Sequence, residues 1–253
     1  MGSGEPDDGS GGGGSGGEGV RGGLLGVLKR EKLVYTRCYC EENIYCLVRD
    51  RVPPELRKYF TVVFISNTMK TIPLYYQKAS KYPPLPVTWD YHVLLLSHPT
   101  PSSPATVYDF DTTLPFPTPF PEYHSKTLYG PPITSLETYL NDQGINIDPV
   151  QIYSYVANRP RFFRLIAASE YLRTFASSRK HMMDEEEKGW LAEPPGYPPI
   201  RCEVGEDTLG MFLDFTGEGE GDESGWGRVV DEEGFWREFA GGVENENESW
   251  RKE

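Results

Sequence analysis

Residues 59–66 read Tyr59-Phe60-Thr61-Val62-Val63-Phe64-Ile65-Ser66, a run dominated by β-branched and aromatic side chains. That composition predicts a β-strand. Thr71–Gln77 (TIPLYYQ) has the same character, and Asn67-Thr68-Met69-Lys70 between them suits a turn, so a hairpin is expected. The three prolines of Lys81–Pro86 lead into Val87–Ser97 (VTWDYHVLLLS), which is expected to pair with Thr106–Asp111 (TVYDFD) through the Pro/Ser-rich loop 99–105. Upstream, Glu41–Val48 predicts a helix, with Ile44, Leu47 and Val48 at helical spacing and Glu41 and Glu42 in the first turn, where the dipole favours acids. Pro53-Pro54 closes that helix or opens a second short one.

Downstream, the four prolines of Pro115–Pro121 predict extended coil. Ser135–Leu140 and a Pro-limited piece near Asp148–Ala157 look helical, Arg161–Ile166 reads as a strand, and Ser169–Ser178 as a helix capped by Ser169. Glu193–Pro199 is an extended surface loop, and apolar patches at Leu209–Phe215 and Phe235–Phe239 alternate with Gly/Glu-rich stretches. The order of helix, strands and helix indicates an α+β fold, an antiparallel sheet with helices packed around it.

The chain has 253 residues and a net charge of −13. Residues 1–23 carry four acids against one base and residues 203–253 sixteen against four, which leaves 24–202 with eighteen acids and twenty bases. The acidity therefore belongs to the ends, no basic block resembles a nucleic-acid footprint, and binding to DNA or RNA is not expected. Twelve of the first 23 residues are glycine, a composition that cannot bury enough apolar area to offset its ordering entropy. The expected organisation is a disordered glycine-rich tail over 1–23, one domain over 24–240 and an acidic disordered tail over 241–253. No apolar run approaches a membrane span, and the N-terminus lacks the regions of a secretory signal, so a cytoplasmic or nuclear location is expected. Cys38, Cys40, Cys46 and Cys202 fit neither a dense disulfide framework nor common zinc spacings, and no metal or cofactor is expected.

Cys40 stands immediately before the predicted helix, where unpaired N–H groups and the dipole favour a thiolate. Read alone, it is a nucleophile or a small buried residue. His92, within Trp89-Asp90-Tyr91-His92-Val93-Leu94, is a core histidine or a base. On the next strand Asp109 and Asp111 share one face while Tyr108 and Phe110 point the other way, so either carboxylate could orient an imidazole. Cysteine before a helix, then histidine and aspartate on neighbouring strands, is the chain order of papain-like and transglutaminase-like cysteine hydrolases.

The residues themselves are more specific. Cys38-Tyr39-Cys40-Glu41-Glu42-Asn43-Ile44, Val63-Phe64-Ile65-Ser66-Asn67, Trp89-Asp90-Tyr91-His92-Val93, Tyr108-Asp109-Phe110-Asp111-Thr112 and Leu114-Pro115-Phe116-Pro117 together resemble the protein N-terminal glutamine amidohydrolase family. Phe175-Ala176-Ser177 with Arg179 and His181-Met182, then Pro194-Pro195, Tyr197-Pro198 and Gly225-Trp226-Gly227, extend the match in order. The resemblance implies deamidation of N-terminal glutamine to glutamate, with release of ammonia, in the N-degron pathway that continues through arginylation. It implies a triad of Cys40, His92 and Asp109, a papain-like/transglutaminase-like fold, no cofactor and a monomer. Reading a free α-ammonium calls for an acid near Cys40, and Glu42 and Asp90 are the candidates.

Three departures stand out: the glycine tail, a longer segment between Phe120 and Phe162, and the more acidic, glycine-rich end. Ser178 also replaces the family's aspartate beside Arg179, so a salt bridge to that arginine is expected to be lost. A cysteine peptidase, a transglutaminase-type acyl transferase and a non-catalytic peptide-binding module are the competing readings. A new N-terminus, a labelled amine incorporated, or binding without turnover would distinguish them.

Overall fold

The computed structural model describes residues 1, 25, 28–184, 188–215 and 226–245. In chain order its elements are α1 (Cys40–Arg51), β1 (Phe60–Ser66), β2 (Ile72–Leu74), β3 (Val87–Trp89), β4 (His92–Ser97), β5 (Thr106–Tyr108), β6 (Thr118–Pro119), α2 (Phe120–His124), α3 (Ile133–Asp142), α4 (Pro149–Ala157), β7 (Phe162–Ala167), α5 (Ala168–Thr174), α6 (Leu209–Phe212), β8 (Arg228–Val230) and α7 (Glu232–Phe239). Six strands form an antiparallel sheet in the order β6-β5-β4-β1-β7-β8, and β2 and β3 form a separate pair.

The alternation along β1 and β4 builds three layers. Val62, Phe64, Val93 and Leu95 face one core, shared with Ile44, Leu47 and Val48 of α1, Tyr171 of α5 and Phe212 of α6. Val63, Ile65, Leu94 and Leu96 face a second core, filled by Phe120 and Tyr123 of α2, by Phe235, Trp236 and Phe239 of α7, and by Ile72 and Leu74 of β2. A strand buried on both faces reads as a continuous apolar run, which is why β1 is legible in the sequence. Burying each of Ile44, Leu47 and Val48 contributes roughly 1.5–3 kcal/mol, and together they hold α1 flat on the sheet with its first turn beside the start of β4.

The expected hairpin between Tyr59–Ser66 and Thr71–Gln77 does not form. β1 is flanked by β4 and β7, and Ile72–Leu74 pairs instead with Val87–Trp89. Asn67 steers the chain away: its Nδ2 donates to the carbonyls of Thr71 and Pro160 (2.9 and 3.1 Å), and its Oδ1 accepts from the Met69 and Thr71 amides. The expected strand Val87–Ser97 is broken at Asp90-Tyr91, its first half in the small sheet and its second in the large one. Ser66 Oγ seals the break by donating to the Asp90 carbonyl at 2.7 Å. His92 thereby becomes the first residue of β4.

The pairing of β4 with β5 agrees with the sequence reading, as do the helices around 41–48, 135–140 and 149–157. Ser169 is not a cap: α5 starts at Ala168 after Ala167 and ends at Thr174, where buried Phe175 turns extended. Pro121 lies in the first turn of α2 rather than in coil, at a position where its missing N–H costs nothing. The short strand Arg228–Val230 was not expected from sequence. Apart from Met1, the glycine-rich tail lies outside the described residues, as does the acidic end beyond 245. Gly241 packs on the Ser103-Pro104 backbone, so the packed unit runs past residue 240.

Gly227 has φ 82°, and a Cβ there would stand 2.3 Å from the Leu165 carbonyl oxygen of β7. Gly227→Ala is expected to lower stability by about 2–4 kcal/mol, read as a reduced urea midpoint with unchanged slope. An unchanged midpoint would show that β8 does not require this close approach.

Candidate active site

α1 begins at Cys40 because the backbone before it is turned sharply. Cys38 is left-handed (φ 67°), the Tyr39 amide donates to the Thr36 carbonyl, and Asn43 grips Thr36 at both ends. The Thr36 amide donates to Asn43 Oδ1 at 2.7 Å, and Asn43 Nδ2 donates back to the Thr36 carbonyl at 2.8 Å. The first amides of a helix have no intrahelical acceptor, so Cys40 stands at an end that attracts negative charge.

Its thiol is buried, and the Val93 N–H is directed at the sulfur, which places Sγ against the peptide joining His92 to Val93. Burial pushes the thiol well above its usual 9.0, and the charges of Glu41 and Asp111 push it further, against the help of that N–H.

His92 and Asp109 form a completely buried pair, Nε2 to Oδ1 at 2.9 Å. Asp109 Oδ1 also accepts from the Asp111 amide at 2.8 Å, and its Oδ2 accepts from the Tyr123 hydroxyl at 2.8 Å. Burial alone would raise the Asp109 carboxyl, but His92 and these donors outweigh it and hold it below 3.8. Burial likewise opposes protonation of His92, and the Asp109 carboxylate overrides it, so the imidazole sits above 6.5. Trp89 stacks on the ring at 5.4 Å between centroids. With Nε2 held by Asp109, Nδ1 is left buried without a hydrogen-bond partner and is the atom available to exchange a proton.

Asp109, not Asp111, meets the imidazole. Asp111 accepts instead from the Tyr35 hydroxyl at 2.6 Å, and burial, with Asp109 adding to it, raises its carboxyl above 3.8. Donor atoms of His92, Asp109 and Asp111 lie within 4.8 Å of one another, but hydrogen bonds already occupy both Asp109 oxygens. Cys38, Cys40, Cys46 and Cys202 form no disulfides.

The two acids expected to read an ammonium differ in their surroundings. Asp90 is exposed beside the site and adds its charge to the field at Cys40. Glu42 is fully buried and gripped by Arg179, Nε to Oε1 and Nη2 to Oε2 both at 2.8 Å, so its charge is already balanced within the fold. Arg179 therefore keeps an ion pair, contrary to the expectation drawn from Ser178, whose hydroxyl turns to Asp207. The guanidinium also donates to the Tyr197 carbonyl at 3.0 Å and the Pro195 carbonyl at 3.3 Å, tying the proline loop to the first turn of α1.

Sequence reasoning missed the roles of Glu41, Tyr91, Tyr123 and His181. Glu41 Oε2 lies 3.6 Å from Cys40 Sγ, and His181 Nε2 stands 3.5 Å from Glu41 Oε1 and 3.4 Å from the Tyr91 hydroxyl. Tyr91 and His181 fall within quoted motif blocks and could have been suspected. For Tyr123 no local pattern exists.

The model of the N-terminal glutamine amidase family matches residues 35–239. The protein N-terminal glutamine amidohydrolase of Drosophila mojavensis is 40% identical over 185 residues, covering 71% of this chain and 77% of that protein. Those of Drosophila ananassae and Drosophila pseudoobscura pseudoobscura are 39% and 38% identical with the same coverage.

Two stability predictions follow from the buried pairs. Arg179→Met leaves Glu42 buried and uncompensated and is expected to cost about 3–5 kcal/mol by urea denaturation, whereas a loss under about 1 kcal/mol would mean Glu42 finds another partner. For His92 and Asp109 the signs differ. The depressed Asp109 value contributes stability above 3.8 that is lost as pH falls through its folded value, while the raised His92 value contributes stability below 6.5 that is lost as pH rises through its folded value. The difference in urea midpoint between the native chain and Asp109→Asn should therefore be largest between about pH 4 and 6.5. A difference independent of pH would contradict the pairing.

Proposed function

This chain belongs to the N-terminal glutamine amidase family, and we propose that it deamidates the N-terminal glutamine of proteins and peptides, yielding glutamate and ammonia through a thioester on Cys40. The observation that carries the mechanism is the buried His92–Asp109 pair, whose free Nδ1 belongs to the residue next to the amide that faces Cys40 Sγ.

In the first half-reaction His92 Nδ1 takes the Cys40 proton as the sulfur attacks the carboxamide carbon. The oxygen of the tetrahedral species turns to backbone amides at the start of α1, including that of Cys40, where the helix dipole favours negative charge. As the C–N bond breaks, protonated His92 returns the proton to nitrogen, and ammonia leaves. In the second half-reaction His92 deprotonates a water that attacks the thioester carbon; the C–S bond breaks, the sulfur is reprotonated and glutamate departs. The balance is glutamine and water to glutamate and ammonia, with no redox change.

Asp109 orients the ring and stabilises its cationic form, while Tyr123 and the Asp111 amide keep Asp109 ionised. Asp90, exposed and near enough to Cys40 for its charge to be felt there, attracts the substrate's α-ammonium toward the site. The papain-like/transglutaminase-like reading of the fold is supported by a helix-borne cysteine, a histidine opening β4 and an aspartate one residue past β5, its antiparallel neighbour. The chain works as a monomer in the cytoplasm or nucleus, where its product feeds arginylation in the N-degron pathway. Among the described residues no helix is long and apolar enough to cross a membrane.

Incubation with a peptide beginning with glutamine should release one ammonia per chain and add about 1 Da without shortening the peptide. Cys40→Ala should abolish this, Cys38→Ala should not, and Asp109→Asn should lower kcat by about 10²–10⁴-fold. A shortened peptide would indicate a peptidase, and incorporation of a labelled amine an acyl transferase.

A further inference from the structure

The geometry points to Glu41 as the residue that receives the α-ammonium of the substrate, and so makes a free N-terminus a condition of attack by Cys40. This deepens the N-terminal glutamine reading and rests on it.

Each of the other buried carboxylates has a partner suited to it: Glu42 has Arg179, Glu232 has Arg161, Asp109 has His92 and Asp111 has the Tyr35 hydroxyl. Glu41 is fully buried, and among the described residues its Oε1 is the one buried carboxylate oxygen without a hydrogen bond. His181 Nε2 stands 3.5 Å away, an ion pair when that imidazole is protonated, and the Tyr91 hydroxyl is directed at the same carboxylate. A charge enclosed in this way is costly unless something neutralises it.

Its position indicates what that is. Glu41 Oε2 lies 3.6 Å from the Cys40 sulfur. In a glutamine residue four bonds separate the side-chain carbonyl carbon from the α-nitrogen, a span of roughly 4–5 Å when extended and less when folded. A carboxamide placed for attack by Cys40 therefore brings its own α-nitrogen within reach of Glu41. An internal glutamine, or an acylated one, carries no charge there. The Tyr91 hydroxyl and the exposed edge of His181 stand beside the same carboxylate and complete its surroundings.

The consequence for catalysis is direct. Without substrate, burial and the charges of Glu41 and Asp111 oppose formation of a thiolate on Cys40. An ammonium seated on Glu41 cancels the nearer of these charges by direct contact and eases transfer of the thiol proton to His92. The correct substrate thus completes the nucleophile, and exposed acids such as Asp90 attract the cation without contacting it in the site.

The test compares a glutaminyl peptide with its des-amino analogue, a 4-carbamoylbutanoyl peptide, on the full chain. The native protein should prefer the glutaminyl peptide by about a hundredfold in kcat/KM, and Glu41→Gln should reduce that preference to below about tenfold. The loss should fall more heavily on the charged substrate than on the analogue. An undiminished preference in Glu41→Gln, or no preference in the native protein, overturns the inference while leaving deamidation intact. No ammonia from the native protein on either peptide defeats the functional reading instead. A measurement on the native protein guards against a variant that fails to fold. Cys40 should react at least about tenfold faster with cationic 2-aminoethyl methanethiosulfonate than with neutral methyl methanethiosulfonate, and equal rates would overturn the inference.

Discussion

A hydrogen bond of 2.9 Å between His92 Nε2 and Asp109 Oδ1, wholly removed from water, is the constraint around which the site is built. It requires β4 and β5 to pair in one register, Leu95 with Tyr108 and Ser97 with Thr106, because a slip of one residue would send Asp109 to the opposite face. It requires α2 to bring the Tyr123 hydroxyl to the second oxygen, and the backbone to turn so that the Asp111 amide reaches the first. These donors keep a buried carboxylate ionised, and the carboxylate in turn keeps a buried imidazole basic. The break at Asp90-Tyr91 leaves the imidazole on the first residue of β4, with its other nitrogen buried and without a hydrogen-bond partner.

The surroundings of Cys40 are acidic, and a thiolate mechanism there has to overcome that charge. Cys40 feels Glu41, Asp111 and Asp90, and burial adds to their effect. Two carboxylates are settled by the fold, Glu42 by Arg179 and Asp111 by Tyr35, whereas Glu41 keeps one buried oxygen without a hydrogen bond and has only the edge of His181 as a cationic neighbour, the position the proposed ammonium would take. Selectivity and activation then share one electrostatic origin, and the fold gives up some stability at the first turn of α1 to provide it.

Much of this was legible from sequence because it is local. Helix α1 showed itself through Ile44, Leu47 and Val48, strand β1 through its unbroken apolar run, and the β4–β5 pair through its connecting loop. Cys40, His92 and Asp109 were singled out by the motifs around them, and the structure pairs His92 with Asp109 where spacing alone left Asp109 and Asp111 equivalent. What failed was decided at long range. The 59–77 hairpin was lost to β7, which lies nearly a hundred residues on, and Glu42 was claimed by Arg179 across 137 positions. Ser169 satisfies the local rule for a cap, yet packing of Ala168 and Tyr171 sets the helix start one residue earlier. Tyr123 donates to Asp109 from a helix that begins between prolines and carries no signature of that contact.

The most direct examination of the central claim is to capture the acyl enzyme. The full chain would be mixed with a short glutaminyl peptide, quenched in acid at millisecond to second intervals, and its digest analysed by mass. The account predicts a transient adduct on the fragment bearing Cys40, equal to the peptide less one ammonia, which disappears as free glutamyl peptide accumulates. An adduct on Cys38 or another residue, or undiminished turnover once Cys40 is carboxymethylated, would contradict it.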